Sequence, residues 1–265
     1  MKRKKVLIVI NDMAAGGAET QALLLARGLL SREYPVVVLA FGQAKGLAWE
    51  RFKAAGIEVC VTEFREKLLL PPFRSVLSYL RHIRYLLKLI LLCRRIKPDV
   101  IFPFTYPPNI IMGRCWRFTG AHACWWNQRD EGRMFFGRPW EITSLNNCSG
   151  ILSNSAEGKD FLKRFTNKPI TIIHNGVEIP EKNSNPPASG KIRVVMVANL
   201  HGYKDHLTLL KAWSDVIREL GPGKATLILE ADPDPRHQKL QLSYKRTVCK
   251  IQSVFRDRYL TSLHY

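Results

Sequence analysis

The fold is decided by one stretch near the N-terminus, Lys5-Val-Leu-Ile-Val-Ile-Asn-Asp-Met-Ala-Ala-Gly-Gly-Ala-Glu-Thr-Gln-Ala-Leu-Leu-Leu-Ala-Arg27. Val6 to Ile10 is a continuous apolar run rich in β-branched residues, which is typical of a buried parallel strand. Gly16 and Gly17 follow a short loop, and Thr20 to Leu30 has helical composition and spacing. This order predicts an anion site, because amides at a helix N-terminus point outward and no Cβ blocks a ligand. A tight turn without a ligand is the alternative.

Glu19 lies in the first turn of the predicted helix. A carboxylate there suits the positive end of the helix dipole, and it can also meet a ligand hydroxyl. The spacing of the glycines is not G-x-G-x-x-G, so the fingerprint of dinucleotide-binding proteins is absent. A phosphorylated ligand other than NAD is therefore expected.

The bulk composition is that of a globular protein with an unusually basic surface. The 265 residues allow one large domain or two small ones, and 46% of them are apolar. A formal net charge of +19 favours partners such as nucleic acid, anionic lipid or phosphorylated small molecules. Six cysteines without C-x-x-C spacing argue against zinc and for reduced thiols in a cytoplasmic protein. The basic N-terminus precedes an apolar run too short for a signal peptide.

Short apolar runs alternate with helical stretches along most of the chain. This rhythm predicts an α/β fold with a doubly wound, Rossmann-like parallel sheet. Ligands of such sheets bind at the carboxyl ends of the strands, where Gly16-Gly17 and residues 127–131 and 174–176 are expected. The predicted strands after the first are at 35–41, 57–61, 100–104, 121–126, 150–154 and 170–173.

The composition also predicts a domain boundary. Residues 181–190 are polar and rich in proline, and they have no periodicity, which indicates a linker. Residues 1–180 then form the N-terminal domain. The pattern restarts in residues 191–265 with a strand at 192–197, a helix at 206–220 and a strand at 225–229. No clear strand follows, so an incomplete second Rossmann-like domain is expected.

A basic helix is predicted over residues 73–96. Residues 67–98 contain eight lysines or arginines and no acidic residue, and Arg74, Arg81, Lys88 and Arg95 recur every seven residues. Leucine and isoleucine fill much of the remaining surface. The pattern favours a helix that lies on an anionic membrane surface. A sheet-covering helix whose exposed face is basic is the alternative, and no apolar run is long enough to span a bilayer.

Four stretches in order resemble the retaining GT-B glycosyltransferases of family 4. Residues 13–19 (Met-Ala-Ala-Gly-Gly-Ala-Glu) are similar to the N-terminal glycine loop of that family. Residues 151–162 are similar to a late strand and helix of its first domain, and residues 173–178 (Ile-His-Asn-Gly-Val-Glu) to its Asn-Gly-Val signature. Residues 195–212 are similar to the segment that opens its donor-binding domain. The resemblance extends from Lys4 to about Leu229.

The resemblance implies transfer of a sugar from a nucleotide-sugar donor, which is a substrate, with no cofactor and no metal. The acceptor is expected to be a lipid-linked glycan or surface polysaccharide at the cytoplasmic membrane face. Lys204 matches the donor-phosphate lysine of the family, and with the amides of Gly16 and Gly17 it would stabilise the leaving diphosphate. A solvated loop lysine is the alternative for Lys204. By the same analogy, Asn175 and Gly176 lie near the cleft or shape the hinge.

Other residues near the expected cleft have open roles. Asn127, Arg129 and Asp130 follow the fifth strand, where Arg129 can clamp a phosphate or carboxylate and Asp130 can orient a hydroxyl. An internal Arg129–Asp130 pair is the alternative. His174 and His201 are bases only if their geometry allows it.

Two departures from the family pattern are visible. Asn199 stands where the family usually has an arginine, with His201 as a partial substitute. No Glu-x7-Glu motif is found in the family's context, so the second domain is expected to be truncated. Three hypotheses follow, namely a glycosyltransferase, a non-catalytic remnant that binds acceptor or membrane, and a nucleic-acid-binding protein. Nucleic acid is not the expected partner, because aromatic-glycine and helix-turn-helix signatures are missing.

Overall fold

The computed structural model describes residues 3–14, 16–42, 46–62, 64, 65, 67, 69–71, 73, 75–179, 192–198, 204–221 and 223–230. The chain divides into two compact units, Met1–Ile179 and Pro180–Tyr265. The predicted linker at 181–190 and the stretch after residue 230 lie outside the described residues, as do Asn199 and His201.

The first unit is built on a parallel sheet, which has seven strands within the described residues. They are β1 (Val6–Ile10), β2 (Val36–Ala40), β3 (Glu58–Val61), β4 (Val100–Pro103), β5 (Ala123–Gln128), β6 (Gly150–Ser153) and β7 (Ile170–Ile172). Their order in the sheet is β3-β2-β1-β4-β5-β6-β7. In the register, Val6 of β1 is the partner of Val36 on one side and of Val100 on the other.

Helices cover the sheet from both faces. They are α1 (Gly17–Leu30), α2 (Leu47–Ala54), α3 (Val76–Ile96), α4 (Tyr106–Cys115), α5 (Pro139–Asn147) and α6 (Ala156–Leu162). On one face, Ala22 of α1 and Phe52 of α2 pack against Ile8 and Val38. On the other face, α3 to α6 form a larger core that contains Leu7 and the fully buried Trp126. Among the described residues, none from β5, β6 or β7 belongs to the core under α1 and α2. The predicted doubly wound sheet is confirmed.

The observed elements differ from the predicted ones at several boundaries; the basic helix predicted over residues 73–96, for example, begins at Val76, because Ser75 caps it. The sequence pattern predicts a helix over residues 110–118, but α4 begins at Tyr106, because two prolines are tolerated in its first turn. Strand β5 runs to Gln128 rather than to residue 126, although its last two residues are polar. Helix α5 was not predicted, because Gly132, Gly137 and Pro139 give its surroundings the composition of a loop.

The second unit contains a parallel strand pair in its described part. Strands β8 (Ile192–Val197) and β9 (Ala225–Glu230) pair in register from Ile192 and Ala225 onward. Helix α7 (His206–Leu220) connects them and begins with Asp205, whose carboxylate accepts a hydrogen bond from the Thr208 amide at 3.3 Å. Leu210 and Leu227 are buried where the helix packs on β9.

Candidate functional site

Strands β1 and β4 are neighbours in the sheet, but the helices that follow them pack on opposite faces. Helix α1, after β1, packs on one face, and α4, after β4, packs on the other. Such a switch point opens a crevice at the carboxyl ends of the two strands, where ligands of doubly wound sheets bind. Thr105, two residues after the end of β4, has a φ of 67° and a ψ of 175°. A β-branched residue rarely adopts a positive φ, and such strain clusters at functional sites. The sequence contains no signal for this strain.

Gly16 and Gly17 begin α1 next to the crevice. Gly16 is the N-cap in an extended conformation, and no side chain caps the helix. A Cβ added at Gly17 would meet nothing within 4 Å, so the surface there is open. A Cβ at Gly16 would lie 2.3 Å from Oε2 of Glu19. The absence of a side chain at Gly16 therefore leaves room for the Glu19 carboxylate. Anion binding by the amides of Gly16 and Gly17 stays a prediction.

Glu19 folds back toward the start of its own helix. The pKa of its carboxyl is raised to about 7, mainly by burial; a hydrogen bond with its own backbone opposes the rise, and the nearby Asp12 adds to it. With Gly16 and Arg51, Glu19 lines a small cavity of about 10 Å³ between α1 and α2. The group therefore takes up or releases a proton near neutral pH, at the helix terminus where an anion was predicted.

Asn127 is held at the end of β5 by a second asparagine. Strand β4 pairs with β5 over only Val100–Ala123 and Ile101–Cys124, so β5 continues beyond its neighbour. The Asn109 side chain on α4 donates to the Asn127 carbonyl at 2.8 Å and accepts from the Asn127 amide at 3.0 Å. The Asn109 side chain thus forms the two hydrogen bonds with the Asn127 backbone that a neighbouring strand would otherwise form. Sequence analysis did not single it out.

Asp130 and Gln128 organise the loop after β5. The Gln128 side chain accepts from the Trp126 indole at 3.0 Å and donates to the Asp130 carboxylate at 2.9 Å. The same carboxylate oxygen accepts the Gly132 amide at 2.8 Å. The Arg129 guanidinium donates instead to Asn175, at 3.0 Å. In the described chain, Arg129 and Asp130 therefore have other partners, and the internal pair considered from the sequence is not formed.

The segment after β7 lies across α1. Gln21 on α1 donates to the Gly176 carbonyl at 2.7 Å and accepts the Gly176 amide at 3.1 Å. Arg27, six residues further along α1, forms an exposed ion pair with Glu178. The His174 ring nitrogen Nδ1 lies 3.1 Å from the Asn154 carbonyl. The contacts with α1 bring residues that are about 150 positions apart to the same edge.

A cleft of about 300 Å³ lies between α1, the sheet and this segment. Asn127, Arg129, His174 and Gly176 line it together with Gln21 and apolar side chains. Gly16 and Glu19 line the smaller cavity described above. Gly17, Asp130 and Asn175 line neither cavity, although Asn175 accepts a hydrogen bond from Arg129.

Lys204 belongs to the second unit. It is exposed and immediately precedes Asp205, the cap of α7. His201 lies outside the described residues. In the described ranges, no group of three or more histidine, cysteine, aspartate or glutamate side chains is arranged to hold a metal ion.

The family model of Glycosyltransferase Family 4 matches residues 15–180, more than half of the chain. No curated protein sequence matches the chain significantly.

Solved structures with the same fold include the lipopolysaccharide outer core galactosyltransferase WaaB, at 16% identity and a TM-score of 0.58 over 92% of this chain and 64% of that one. A glycosyltransferase from Rickettsia africae has 14% identity and a TM-score of 0.61, over 95% and 66% of the two chains. An alpha-glucosyltransferase in complex with UDP and DNA has 10% identity and a TM-score of 0.60, over 93% and 61%. The chain spans about two thirds of the length of these structures, and their shared fold is of the GT-B type.

Proposed function

The chain belongs to glycosyltransferase family 4, and from that premise we propose that it transfers a sugar from a nucleotide-sugar donor to a lipid-linked or polysaccharide acceptor. The observation that carries the proposal is the family match over residues 15–180, which includes the crevice, the cleft and the segment after β7.

In the proposed reaction, the bond between the anomeric carbon and the donor phosphate breaks, and a bond between that carbon and an acceptor hydroxyl forms. The acceptor proton leaves with the departing nucleoside diphosphate, which gains negative charge in the transition state. Preorganised donors at that charge are the largest contribution a protein makes to such a step. The amides at Gly16 and Gly17 and the ammonium of Lys204 are the proposed donors. The exposed positions of Gly17 and of Lys204, each within its own unit, support the proposal, because each is accessible to an anion.

Substitution of Lys204 tests the assignment of the donor phosphate. We expect Lys204→Ala to weaken binding of the UDP- or GDP-sugar that the protein uses by about tenfold, because a charge-assisted hydrogen bond is lost. Titration calorimetry measures the affinity, and release of the nucleoside diphosphate measures transfer. Lys211→Ala is the matched control, since Lys211 is an exposed lysine on α7.

Equal affinities in the two variants would contradict the role of Lys204. An absence of transfer and of binding with every nucleotide-sugar would contradict the enzyme proposal and favour the non-catalytic binding module.

We further propose that α3 rests on an anionic membrane surface. Its inner side is buried through Leu89, Cys93 and Ile96, so its outer side faces solvent. That outer side carries large apolar residues, each more than half exposed: Val76, Leu77, Tyr79, Leu80, Leu87 and Leu91. The exposed Arg81, Arg84 and Lys88 lie among them. A helix that only covers a sheet has no reason to expose this many apolar side chains.

The loop after β5 supports the proposal that this side of the protein faces the membrane. Met134 and Phe136 are 53% and 68% exposed, and the Arg138 guanidinium lies 4.9 Å from the Phe136 ring centre. The loop leaves the carboxyl edge of the sheet, and α3 begins at that edge because it follows β3. Exposed apolar side chains beside arginines suit the headgroup region of an anionic bilayer. No helix within the described ranges has the length and apolar character to cross a bilayer.

A further inference from the structure

Arg129 places an uncompensated positive charge in the cleft. It is partly buried, its guanidinium lies 4.7 Å from the Phe104 ring centre, and one of its nitrogens donates to Asn175. Within the described chain, no carboxylate lies within 4.0 Å of it. Burial without such a partner lowers its pKa to about 10. A partly desolvated cation of this kind is stabilised by an anion from outside the chain.

Asn127 adds a second donor to the same cleft. Its side chain is only 3% exposed, and the clamp by Asn109 fixes its backbone. Its side-chain nitrogen Nδ2 is buried and has no hydrogen-bond partner among the described residues. A buried donor without a partner costs about 1–3 kcal/mol, which a ligand acceptor would recover. Asn127 and Arg129 are two positions apart in β5 and the residues after it, so their side chains lie on the same side.

Apart from Gln21, His174 and Gly176, the rest of the cleft lining is apolar. Phe102 and Leu152 face it from β4 and β6, Leu24 and Leu25 from α1, and the half-exposed Ile173 from the segment after β7. The cleft thus has a cationic end and an apolar wall, and its volume of about 300 Å³ is suited to a small organic ligand.

We propose that this cleft binds an acceptor that carries a phosphate next to an apolar group, with the phosphate at Arg129 and Asn127 and the apolar group along Phe102, Leu152 and Ile173. A lipid phosphate has this chemistry, whereas a glycan carboxylate lacks the apolar part. The inference rests on the proposed function only for the statement that the ligand is the acceptor. The subsite itself rests on the geometry of the first unit.

Binding of hexyl phosphate to the full chain tests the subsite. We expect hexyl phosphate to bind about tenfold more tightly than inorganic phosphate in titration calorimetry, because the alkyl chain is removed from water. Glucuronate represents a glycan carboxylate and should bind no better than inorganic phosphate. Equal affinity for hexyl phosphate and inorganic phosphate would overturn the apolar part of the proposal. Tighter binding of glucuronate than of hexyl phosphate would overturn the assignment of a phosphate to Arg129 and Asn127.

Two variants with the same charge change locate the site. Arg129→Gln should weaken hexyl phosphate binding about tenfold or more, because the charge-assisted hydrogen bond is lost. Arg133→Gln, in an exposed residue of the same loop that contacts Glu131, should leave the affinity unchanged. An equal loss in both variants would show attraction by net charge alone and would overturn the subsite. Asn127→Ala, which keeps Arg129, should also weaken hexyl phosphate binding. The outcome therefore does not depend on whether any single variant folds.

The subsite and the enzyme proposal fail in different ways. If hexyl phosphate binds as expected and no nucleotide-sugar is used, the subsite stands and the transferase proposal falls. If transfer occurs and Arg129→Gln leaves both the acceptor KM and hexyl phosphate binding unchanged, the subsite falls and the transferase proposal stands.

Discussion

At the scale of single residues, buried polar side chains hold the carboxyl edge of the sheet in shape. Asn109 forms the hydrogen bonds with the Asn127 backbone that a neighbouring strand would form. Glu141 binds backbone amides of the next loop in a similar way. The Glu141 side chain is fully buried, and it accepts hydrogen bonds from the Tyr106 hydroxyl and from the amides of Phe136 and Arg138, at 3.0 and 2.7 Å for the amides. Because a buried carboxylate without such partners is very costly, these bonds fix the loop between β5 and α5.

Glu19 makes the stability of the protein depend on pH. The folded pKa of about 7 lies above the ordinary value of 4.5, so the folded state binds this proton more tightly than the unfolded state. The associated stability is present below pH 4.5 and is lost as the pH rises through 7. We expect Glu19→Gln to raise the free energy of unfolding at pH 8 by about 1–2 kcal/mol, a value discounted for partial exposure. The gain should shrink toward pH 4.5.

Denaturant unfolding at pH 5, 6.5 and 8 measures this effect. Glu157→Gln is the control, since Glu157 is an exposed glutamate in the first turn of α6. A Glu19→Gln variant whose gain does not vary with pH would show that the carboxylate does not titrate in this range.

At the scale of elements, α4 and α5 approach each other so closely that one position allows no side chain. A Cβ at Gly113 of α4 would lie 2.4 Å from the backbone oxygen of Ser144 on α5. The contact matters for the site because α4 carries Asn109, which clamps β5, and α5 begins with the residues that Glu141 holds. The position of the cleft therefore depends on this helix pair.

Two glycines in helices should respond in opposite directions to alanine. Gly113→Ala should lower the free energy of unfolding by about 1–3 kcal/mol, because the two helix backbones must separate. Gly28→Ala in α1 should raise it by about 0.5–1 kcal/mol, since its Cβ would meet only the end of the Arg32 side chain at 3.7 Å and alanine favours a helix. Thermal unfolding of both variants measures the difference. Stabilisation by Gly113→Ala would contradict the close contact.

Helix α3 shows how one element combines local and tertiary signals. Ser75 caps its start, with the Ser75 and Ser78 hydroxyls each 3.1 Å from the amide of the other residue. It ends at Lys97 in a left-handed conformation just before Pro98. Both ends follow from local sequence, because serine caps helices and proline cannot continue them. Which leucines are exposed follows only from the way the helix packs on the sheet.

At the scale of the whole molecule, the net charge of +19 adds a long-range attraction to the local contacts of α3. Each basic residue near an anionic surface contributes about 1 kcal/mol, and salt screens this contribution. The apolar side chains of α3 are insensitive to salt in the same range. Membrane binding should therefore have a part that salt removes and a part that it does not.

Vesicle binding separates these contributions. We expect the full chain to bind vesicles that contain phosphatidylglycerol more tightly than vesicles of phosphatidylcholine alone. The double variant Leu80→Glu with Leu87→Glu should weaken this binding at least about tenfold, because apolar area is lost and negative charge is added. Co-sedimentation measures the bound fraction, and thermal unfolding shows whether each variant remains folded.

The matched control is Leu47→Glu with Phe118→Glu, which changes charge equally at two exposed apolar residues outside α3. An equal loss in the control would mean that net charge alone determines binding. Tight binding to DNA together with none to anionic vesicles would favour the nucleic-acid hypothesis instead.

The sequence by itself determined the alternation of strands and helices, the doubly wound sheet and the family. Each of these depends on local patterns, because a buried parallel strand needs a continuous apolar run and a helix needs caps and a repeat. The pattern failed at the end of β5, where Asn127 and Gln128 are polar and yet buried. Asn109, 18 positions away, satisfies the backbone of Asn127, and the Trp126 indole donates to the side chain of Gln128.

Only the tertiary structure decided which residues meet. Gln21 and Gly176 are 155 positions apart and exchange two hydrogen bonds, and this contact closes the cleft beside Arg129. The tertiary structure also decided that the glycine turn and the cleft are separate, and which side of α3 is exposed. Contacts between distant segments depend on how helices pack on both faces of the sheet, and neither composition nor periodicity contains that information.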